Sequence, residues 1–267
     1  MPWLALTLEV DRAAADVFSD ALLDAGAQSV SLEGEGKVMM ILSPRDDSNA
    51  LIGAAARAAG IAAPRFSSEQ LDDRDWVRAS QAQFAPVAIG ERLWIGPSWH
   101  APAPGRLAVR IDPGLAFGTG SHPSTQLVLN FLEKHIKGGE RVLDYGCGSG
   151  ILAIAAAKLG AAQVDAVDLD PDAVDATRAN AAANGVEVKA APPDALPAAD
   201  YDVVVSNILA QPLIVLAPLL AQRGERIALS GILEEQAEEV LRAYAPRFHM
   251  KVSQVEERWA LLEGVRR

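Results

Sequence analysis

A glycine-rich stretch in the middle of the chain limits most strongly what it can fold into. Residues 141–160 read R-V-L-D-Y-G-C-G-S-G-I-L-A-I-A-A-A-K-L-G. Val142 and Leu143 begin a short apolar strand, and the helix-forming run that starts at Ile151 ends at Gly160. The glycines between strand and helix allow a tight reversal and let a ligand approach the backbone without meeting a Cβ atom. This stretch therefore predicts a strand, a ligand-binding turn and a helix.

Two acidic residues near the turn indicate the charge of its ligand. Gly146, Gly148 and Gly150 have the spacing G-x-G-x-G, not the G-x-G-x-x-G of dinucleotide sites, and Asp144 precedes them by two residues. A carboxylate repels a pyrophosphate and attracts an ammonium or sulfonium group. A second apolar run ends at Asp168, which suits a ribose diol. Together the two acids predict S-adenosylmethionine, a nucleoside with a cationic amino-acid tail; a tight turn without a ligand is the alternative.

The composition narrows the class of protein. The 267 residues carry a formal net charge of −11 with a pI near 4.8, which disfavours a nucleic-acid surface and suits a basic partner. The lone Cys147 excludes an internal disulfide framework and a cysteine zinc cluster, and it is expected to serve as a small residue in the turn. The opening residues resemble neither a secretory signal nor a membrane anchor. We expect a soluble, cytoplasmic protein that binds neither membranes nor, directly, nucleic acid.

Residues 1–71 have the pattern of a small separate domain. Strand-like and helix-like runs follow in the order β-α-β-β-α-β, which predicts a ferredoxin-like α+β fold. Up to Pro64 this segment contains nine acidic and four basic residues, a net charge of −5. Such an excess is typical either of a surface that docks a basic protein or of an ordinary solvated exterior, and both hypotheses stay open.

Residues 72–100 are predicted to connect this domain to a larger one, residues 101–267. In the larger domain a predicted strand over 107–111 leads into the loop D-P-G-L-A-F-G-T-G-S-H-P-S-T at 112–125. This loop is predicted either to fold over the ligand or to be an ordered loop that ends in a helix cap. Thr125 is expected to start or to cap a helix over 126–134. His122, followed by proline, is expected to be a structural hydrogen-bonding residue and not a base.

The second half of the chain alternates between strands and helices. This alternation predicts a doubly wound, Rossmann-like sheet with an antiparallel end, whose ligands bind at the carboxyl ends of its strands. An apolar strand over 201–206 delivers N-I-L-A, residues 207–210, to that edge. A helix is expected over 212–221. Asp194 follows a short strand, where it is predicted either to bind an adenine amine or to cap a turn.

With these motifs in place, the sequence resembles the class I S-adenosylmethionine-dependent methyltransferases, and among them the PrmA family, methyltransferases of large-subunit ribosomal protein eleven. The motifs that carry the resemblance are residues 112–125, 142–161, D-L-D-P at 168–171 and N-I-L-A at 207–210. Tyr145 departs from the family pattern, where a smaller residue is usual. The resemblance implies a ferredoxin-like domain that recognises the ribosomal protein, and methyl acceptors that are lysine side-chain amines and the N-terminal α-amine.

The resemblance also assigns roles to residues. It implies cofactor contacts at Thr125, Gly146, Asp168 and Asn207, with Phe117 and Gly118 near the methyl group. The predicted site is completed by the residues of the turn and of the adenine side: Asp144, Gly148 and Asp194.

Methyl transfer to an amine needs alignment more than acid-base catalysis. The amine nitrogen must lie in line with the S–CH₃ bond, so positioning supplies much of the rate. We therefore expect no histidine base, and we expect Asn207 to be the catalytic residue that holds the amine through its carbonyl oxygen. The structural alternative for Asn207 is a turn residue after a strand.

Three other functions are compatible with parts of the pattern. A nucleic-acid base methyltransferase is disfavoured because N-I-L-A lacks the aromatic stacking residue of an Asn-Pro-Pro-aromatic motif. A nicotinamide-dependent oxidoreductase is disfavoured by Asp144 and the glycine spacing. A non-catalytic nucleoside-binding scaffold is the third.

Overall fold

The computed structural model describes residues 3–10, 12–27, 29–33, 37–42, 47–71, 85–112 and 120–267. The chain divides into two compact units, Met1–Gln83 and Phe84–Arg267. No helix in these described ranges is long and apolar enough to cross a membrane.

The first unit is a four-stranded antiparallel sheet with two helices. Its elements are β1 (Trp3–Glu9), α1 (Arg12–Asp24), β2 (Ser29–Glu33), β3 (Lys37–Leu42), α2 (Ser48–Ala59) and β4 (Phe66–Leu71). The strand order β2-β3-β1-β4 is that of a ferredoxin-like domain and confirms the predicted β-α-β-β-α-β pattern. Leu6, Leu8, Phe18, Leu22 and Val38 are fully buried between the sheet and the helices, so this unit has a hydrophobic core of its own.

The second unit begins with a small three-stranded sheet, β5-β6-β7, formed by Val87–Ile89, Leu93–Gly96 and Leu107–Arg110. The remaining elements are α3 (Pro123–His135), β8 (Arg141–Tyr145), α4 (Ile151–Leu159), β9 (Gln163–Val167), α5 (Pro171–Ala183), β10 (Lys189–Ala191), β11 (Tyr201–Asn207), α6 (Ala210–Leu220), β12 (Gly224–Leu233), α7 (Ala237–Tyr244), β13 (Phe248–Glu256) and β14 (Trp259–Arg266). Short 3₁₀ turns lie at Pro193–Ala195 and Glu234–Gln236.

The large sheet has seven strands in the order β10-β9-β8-β11-β12-β14-β13. The strands β10, β9, β8, β11 and β12 run parallel, while β14 is antiparallel to both β12 and β13. One buried cluster joins the sheet to α3, α4 and α5, and a second joins it to α6 and α7. Helices therefore cover both faces, as the predicted doubly wound sheet with an antiparallel end requires.

Several element boundaries differ from the sequence predictions. Helix α3 starts at Pro123, so Thr125 is its third residue and not its cap. His122 is the cap, and its Nδ1 accepts a hydrogen bond from the Ser124 N–H. Helix α6 starts at Ala210, two residues before the predicted start at Pro212. In both helices a proline lies inside the first turn, where its missing N–H costs no hydrogen bond. The position of the proline therefore does not fix which residue is the first of the helix.

The parallel strands end at one edge of the sheet, which we call the carboxyl edge. Strands β8, β9, β10 and β11 finish there at Tyr145, Val167, Ala191 and Asn207. Side chains that are far apart in the sequence follow these four residues and so collect at the same edge.

Candidate active site

The glycine turn after β8 is a close-fitting cradle. The N–H groups of Gly146 and Cys147 both donate to the carbonyl oxygen of Val167, at 2.7 and 3.0 Å. Gly146 has φ +82°, and a Cβ atom added there would lie 2.4 Å from Cγ2 of Ile208. A side chain at this position would be both strained and obstructed. The turn thus ties the ends of β8 and β9 together and leaves its backbone accessible.

Asp168 links the end of β9 to this turn. Its Oδ2 accepts a hydrogen bond from the Gly148 N–H at 2.9 Å, and its Oδ1 accepts one from the Asp170 N–H at 3.1 Å. An ionised carboxylate has about four acceptor positions, so two remain for a ligand. The predicted neighbour of a ribose diol is therefore held in a fixed orientation by two backbone donors.

Asp144 lies inside the protein, behind the turn. It is 0% exposed, and its Oδ2 accepts a hydrogen bond from the Ala153 N–H in the first turn of α4 at 3.1 Å. Its buried Oδ1 has no hydrogen-bond partner among the described residues. Burial raises the pKa of Asp144 to about 7; the Ala153 N–H opposes this rise and the charge of Asp168 adds to it.

Asn207, the last residue of β11, is oriented by α3. Its Nδ2 donates to Oγ1 of Thr125 at 3.0 Å, and Thr125 is 1% exposed. Its Oδ1 is buried and has no hydrogen-bond partner in the described part of the chain. The amide is thus fixed at its nitrogen end and retains an unused acceptor at its oxygen end.

A mainly apolar cavity of about 340 Å³ adjoins Asn207. It is lined by His122, Ser124, Asn207, Ile208, Leu209, Gly231 and Trp259. The rings of His122 and Trp259 meet edge to face with centroids 4.7 Å apart. Such a space can hold an aliphatic chain, because its walls are mainly apolar, and the amide side chain of Asn207 lies at its wall.

Trp259 was not among the residues predicted from the sequence. It reaches the cavity because β14 lies antiparallel beside β12, with Trp259 paired to Leu233. A turn at Glu257 and Arg258, both with positive φ, joins β13 to β14, and Trp259 is the first residue of β14. A pattern confined to the hairpin does not say beside which strand the hairpin will lie.

The other predicted site residues are placed less closely. Asp194 lies exposed in the 3₁₀ turn that follows β10, at the carboxyl edge. Phe117 and Gly118 lie outside the described residues. Cys147 is buried and accepts a hydrogen bond from Oγ1 of Thr177 at 3.3 Å. Burial raises the pKa of its thiol to about 12, and the charge of Asp144 adds to the rise, so the thiol is not a nucleophile at neutral pH.

Comparison with known proteins decides the family. The family model described as ribosomal protein L11 methyltransferase (PrmA) matches residues 2–267. The chain belongs to the PrmA family. Two curated relatives named ribosomal protein L11 methyltransferase support this: that of Chromobacterium violaceum is 46% identical over 295 residues, and that of Thiobacillus denitrificans is 48% identical over 296. The alignments cover 100% of this chain and 99% and 100% of those relatives.

One solved structure agrees with this PrmA assignment, and a second resembles the chain in fold. The ribosomal protein L11 methylase of Lactobacillus delbrueckii subsp. bulgaricus is 34% identical with a TM-score of 0.62, and the match covers 68% of this chain and 98% of that one. The 16S rRNA N2 G1207 methyltransferase of T. thermophilus has a TM-score of 0.51 at 17% identity, covering 90% of this chain and 58% of that one, and shows the fold alone.

The PrmA assignment confirms a class I methyltransferase fold and S-adenosylmethionine as the cofactor. The oxidoreductase and scaffold alternatives are not supported. Among the described residues no group of three or more His, Cys, Asp or Glu side chains is arranged to hold a metal ion.

Proposed function

We propose that this protein transfers methyl groups from S-adenosylmethionine to lysine side-chain amines and the N-terminal amine of ribosomal protein L11. The observation that carries the proposal is the environment of Asn207. This residue lines an apolar cavity beside the glycine turn, and its buried Oδ1 has no hydrogen-bond partner among the described residues. The two curated relatives are named methyltransferases of ribosomal protein L11, which supports L11 as the substrate.

The residues of the carboxyl edge fit the cofactor. Gly146 provides the backbone surface that a Cβ atom would block, and Asp168 retains two acceptor positions for the ribose. Buried Asp144, in its ionised form, supplies negative charge behind the turn. When bound, the cofactor supplies an electrophilic methyl group on a positively charged sulfur. Thr125, Gly148 and Asn207 complete the proposed contacts, and Asp194, Phe117 and Gly118 are proposed on the adenine and methyl sides.

The cavity beside Asn207 is proposed to receive the acceptor amine. An unperturbed lysine amine has a pKa of about 10.4, and only the neutral form carries the lone pair that attacks a methyl group. Apolar walls disfavour the charged ammonium and so lower its pKa. Asn207 Oδ1 accepts one N–H of the amine, which leaves the lone pair free to point away from Asn207.

No side chain of the described residues is needed as a base in this scheme. His122 caps α3, with its Nδ1 at 2.7 Å from Ser124 Oγ as well as accepting from the Ser124 N–H. A ring bound in this way positions helix α3, and therefore Thr125 and Asn207. The proton leaves to solvent before the amine is enclosed.

Recognition of L11 is proposed to begin with residues 1–71. This ferredoxin-like segment carries an acidic excess, which favours a basic protein surface over nucleic acid. The catalytic residues are proposed to lie in the second unit, Phe84–Arg267, which includes β5 and β6 and therefore part of the segment 72–100 that was expected to be a connection. A ribosomal protein as substrate also favours the cytoplasm as the location.

The proposal is tested by asking which macromolecule becomes methylated. Purified protein is incubated with methyl-labelled S-adenosylmethionine and either the protein fraction or the RNA fraction of unmethylated ribosomes. Label is expected in a single large-subunit protein, and peptide mapping is expected to find it on lysine and N-terminal amines. Label in the RNA would instead support a nucleic-acid base methyltransferase. Asn207→Ala is expected to abolish most transfer, while Thr125→Ser, which keeps the hydroxyl that holds Asn207, retains it.

A further inference from the structure

The helix that begins at the acceptor cavity has an unusual outer face. From Ile208 to Gln222 the chain contains fifteen residues and no charge, although 22% of the whole sequence is charged. An ordinary surface helix pairs an apolar inner stripe with a charged outer one. Helix α6 lacks the charged stripe, so burial of its inner face does not account for its composition.

Apolar side chains occupy the solvent-facing positions of this segment. Leu209 is 68% exposed and Val215 75% exposed. Pro212 and Pro218 are also exposed, and the only polar side chains beside them are Gln211 and Gln222. Pro212, Val215 and Pro218 lie three residues apart, so each is next to the following one on the helix surface, and Leu209 lies directly before the first residue of the helix. These four residues are called the stripe below.

This stripe is continuous with the cavity. Leu209, at its start, lines the cavity together with Ile208 and lies two residues beyond Asn207. Whatever macromolecule places an amine beside Asn207 is therefore in contact with the start of α6. This continuity distinguishes the stripe from scattered exposed apolar side chains, which carry no such implication.

Acidic side chains are exposed on the elements that follow the cavity in the chain and pack against α6. Gly231 lines the cavity, and the strand that carries it leads into Glu234 and Glu235 and then into Glu238 and Glu239 of α7, all exposed. Helices α6 and α7 pack together, with the Tyr244 hydroxyl donating to the Leu213 carbonyl at 2.9 Å. Glu235 and Glu238 form ion pairs with Arg258 and Arg242, while Glu234 and Glu239 have no ion pair among the described residues.

We propose that the outer face of α6 is a docking surface for the protein substrate, and that its occupant is an apolar patch flanked by lysine or arginine side chains next to the accepted amine. The proposal rests on the proposed methylation of a protein. These acidic side chains fit basic flanks, and they disfavour a second copy of this chain, whose net charge is −11, as well as an anionic membrane.

The test uses the full-length protein with Val215→Glu, and with Val252→Glu as the matched control. Val252 is an exposed valine, at 40%, on the edge strand β13. Initial rates of L11 methylation give KM and kcat, calorimetry gives the Kd for S-adenosylmethionine, and thermal melting reports folding. A charge placed in an apolar docking surface weakens association and leaves the chemical step intact.

For Val215→Glu we expect KM for L11 to rise about tenfold or more, with kcat, the cofactor Kd and the melting temperature close to those of the unaltered protein. Val252→Glu should leave KM, kcat and the cofactor Kd within twofold of the values for the unaltered protein, with a melting temperature close to its own. A KM within twofold for Val215→Glu overturns the docking surface while leaving the proposed function standing. A concentration-dependent dimer that Val215→Glu dissolves would assign the surface to a second copy instead. If the unaltered protein does not methylate L11 at all, the proposed function fails and the docking proposal fails with it.

Discussion

Asp168 shows how one carboxylate can serve both structure and binding. It accepts hydrogen bonds from the backbone of Gly148 and of Asp170, so its orientation is set before any ligand arrives. Its neighbour Asp170 has a different task, because its Oδ1 accepts from the Asp172 N–H and caps α5. The two acids lie at the same edge of the sheet and differ in role.

Replacing these two acids separates the roles. Asp168→Ala removes a charged acceptor for the ribose, and hydrogen bonds to charged groups contribute about 1.5–3 kcal/mol each. We expect its Kd for S-adenosylmethionine to rise by a hundredfold or more, roughly the loss of two such bonds. Asp170→Ala should lower the melting temperature through the lost cap, with the Kd within about threefold. Equal affinities for the two variants, measured by calorimetry, would remove Asp168 from the site.

Asp144 should make cofactor binding depend on pH. Its pKa is raised to about 7 by burial, so in the free protein it is ionised above pH 7 and neutral below. A cationic ligand binds more tightly to the ionised form and so must displace a proton below pH 7. We expect each pH unit below 7 to weaken binding by up to about tenfold.

Asp144→Asn is the control for this titration, because its amide is neutral at every pH. At pH 7.5 the Kd of Asp144→Asn for S-adenosylmethionine should be higher than that of the unaltered protein, and it should change little down to pH 5.5. Calorimetry at several pH values tests both statements. If the Kd changes with pH equally in the two proteins, the titration of Asp144 is not the cause of the pH dependence.

Among the elements, the turn after β8 has the strictest geometry. Gly146 combines φ +82° with a missing Cβ that would lie 2.4 Å from Ile208. Gly160 also has a positive φ, +107°, but at the far end of α4, where a Cβ would come no closer than 3.5 Å to Gly138. The positive φ would strain any residue with a side chain at either position. Only at Gly146 would the side chain also collide with a neighbour, Ile208, at the site.

This contrast predicts different outcomes for two alanine substitutions. Each should cost about 1–2 kcal/mol of stability, because L-residues disfavour positive φ. Gly146→Ala should also weaken cofactor binding at least tenfold, since Ile208 or the turn must move. Gly160→Ala should leave the Kd within about threefold. If calorimetry shows that the two variants lose affinity for the cofactor to the same extent, the proposed contact at Gly146 is wrong.

The elements that the sequence predicts well are those with local signals. The turn at Gly146, the acid at Asp168 and the delivery of Asn207 by an apolar strand each follow from a strand, a turn and a helix that are adjacent in the chain. Asp144 was predicted as a site residue by type, but its burial against the Ala153 N–H depends on how α4 packs on the sheet. Its position behind the turn therefore needed the structure.

Other features depend on contacts distant in the chain. Trp259 enters the cavity only because β14 lies between β12 and β13. Thr125 was predicted to start or cap a helix, whereas it lies inside α3 and holds Asn207 across 82 residues of sequence. The uncharged outer face of α6 was visible as composition, but which of its residues face solvent depends on how it packs against the sheet and α7.

At the scale of the whole molecule, the two units have separate cores. Residues 1–83 bury Leu6, Leu8 and Phe18 in one cluster, and residues 84–267 have their own clusters on both faces of the large sheet. Units with separate cores can fold and act separately. We propose that the smaller unit makes the first contact with L11 and that the larger unit binds the cofactor.

Deleting residues 1–83 tests this division. The remaining protein should bind S-adenosylmethionine with a Kd within about threefold, because every described residue of the proposed site lies beyond Phe84. Its kcat/KM for L11 should fall by about a hundredfold or more. Circular dichroism checks that the larger unit is folded, and undiminished methylation by the truncated protein would refute the recognition role.

The carboxyl edge of the large sheet is proposed to methylate amines of L11, and intact mass spectrometry of L11 tests this proposal. Unmethylated L11 is incubated with the full-length protein and S-adenosylmethionine, in parallel with the Asn207→Ala variant. We predict that L11 gains mass in whole multiples of one methyl group with the unaltered protein and little or none with the variant. An L11 mass that stays unchanged, although calorimetry shows the cofactor bound, would contradict the claim.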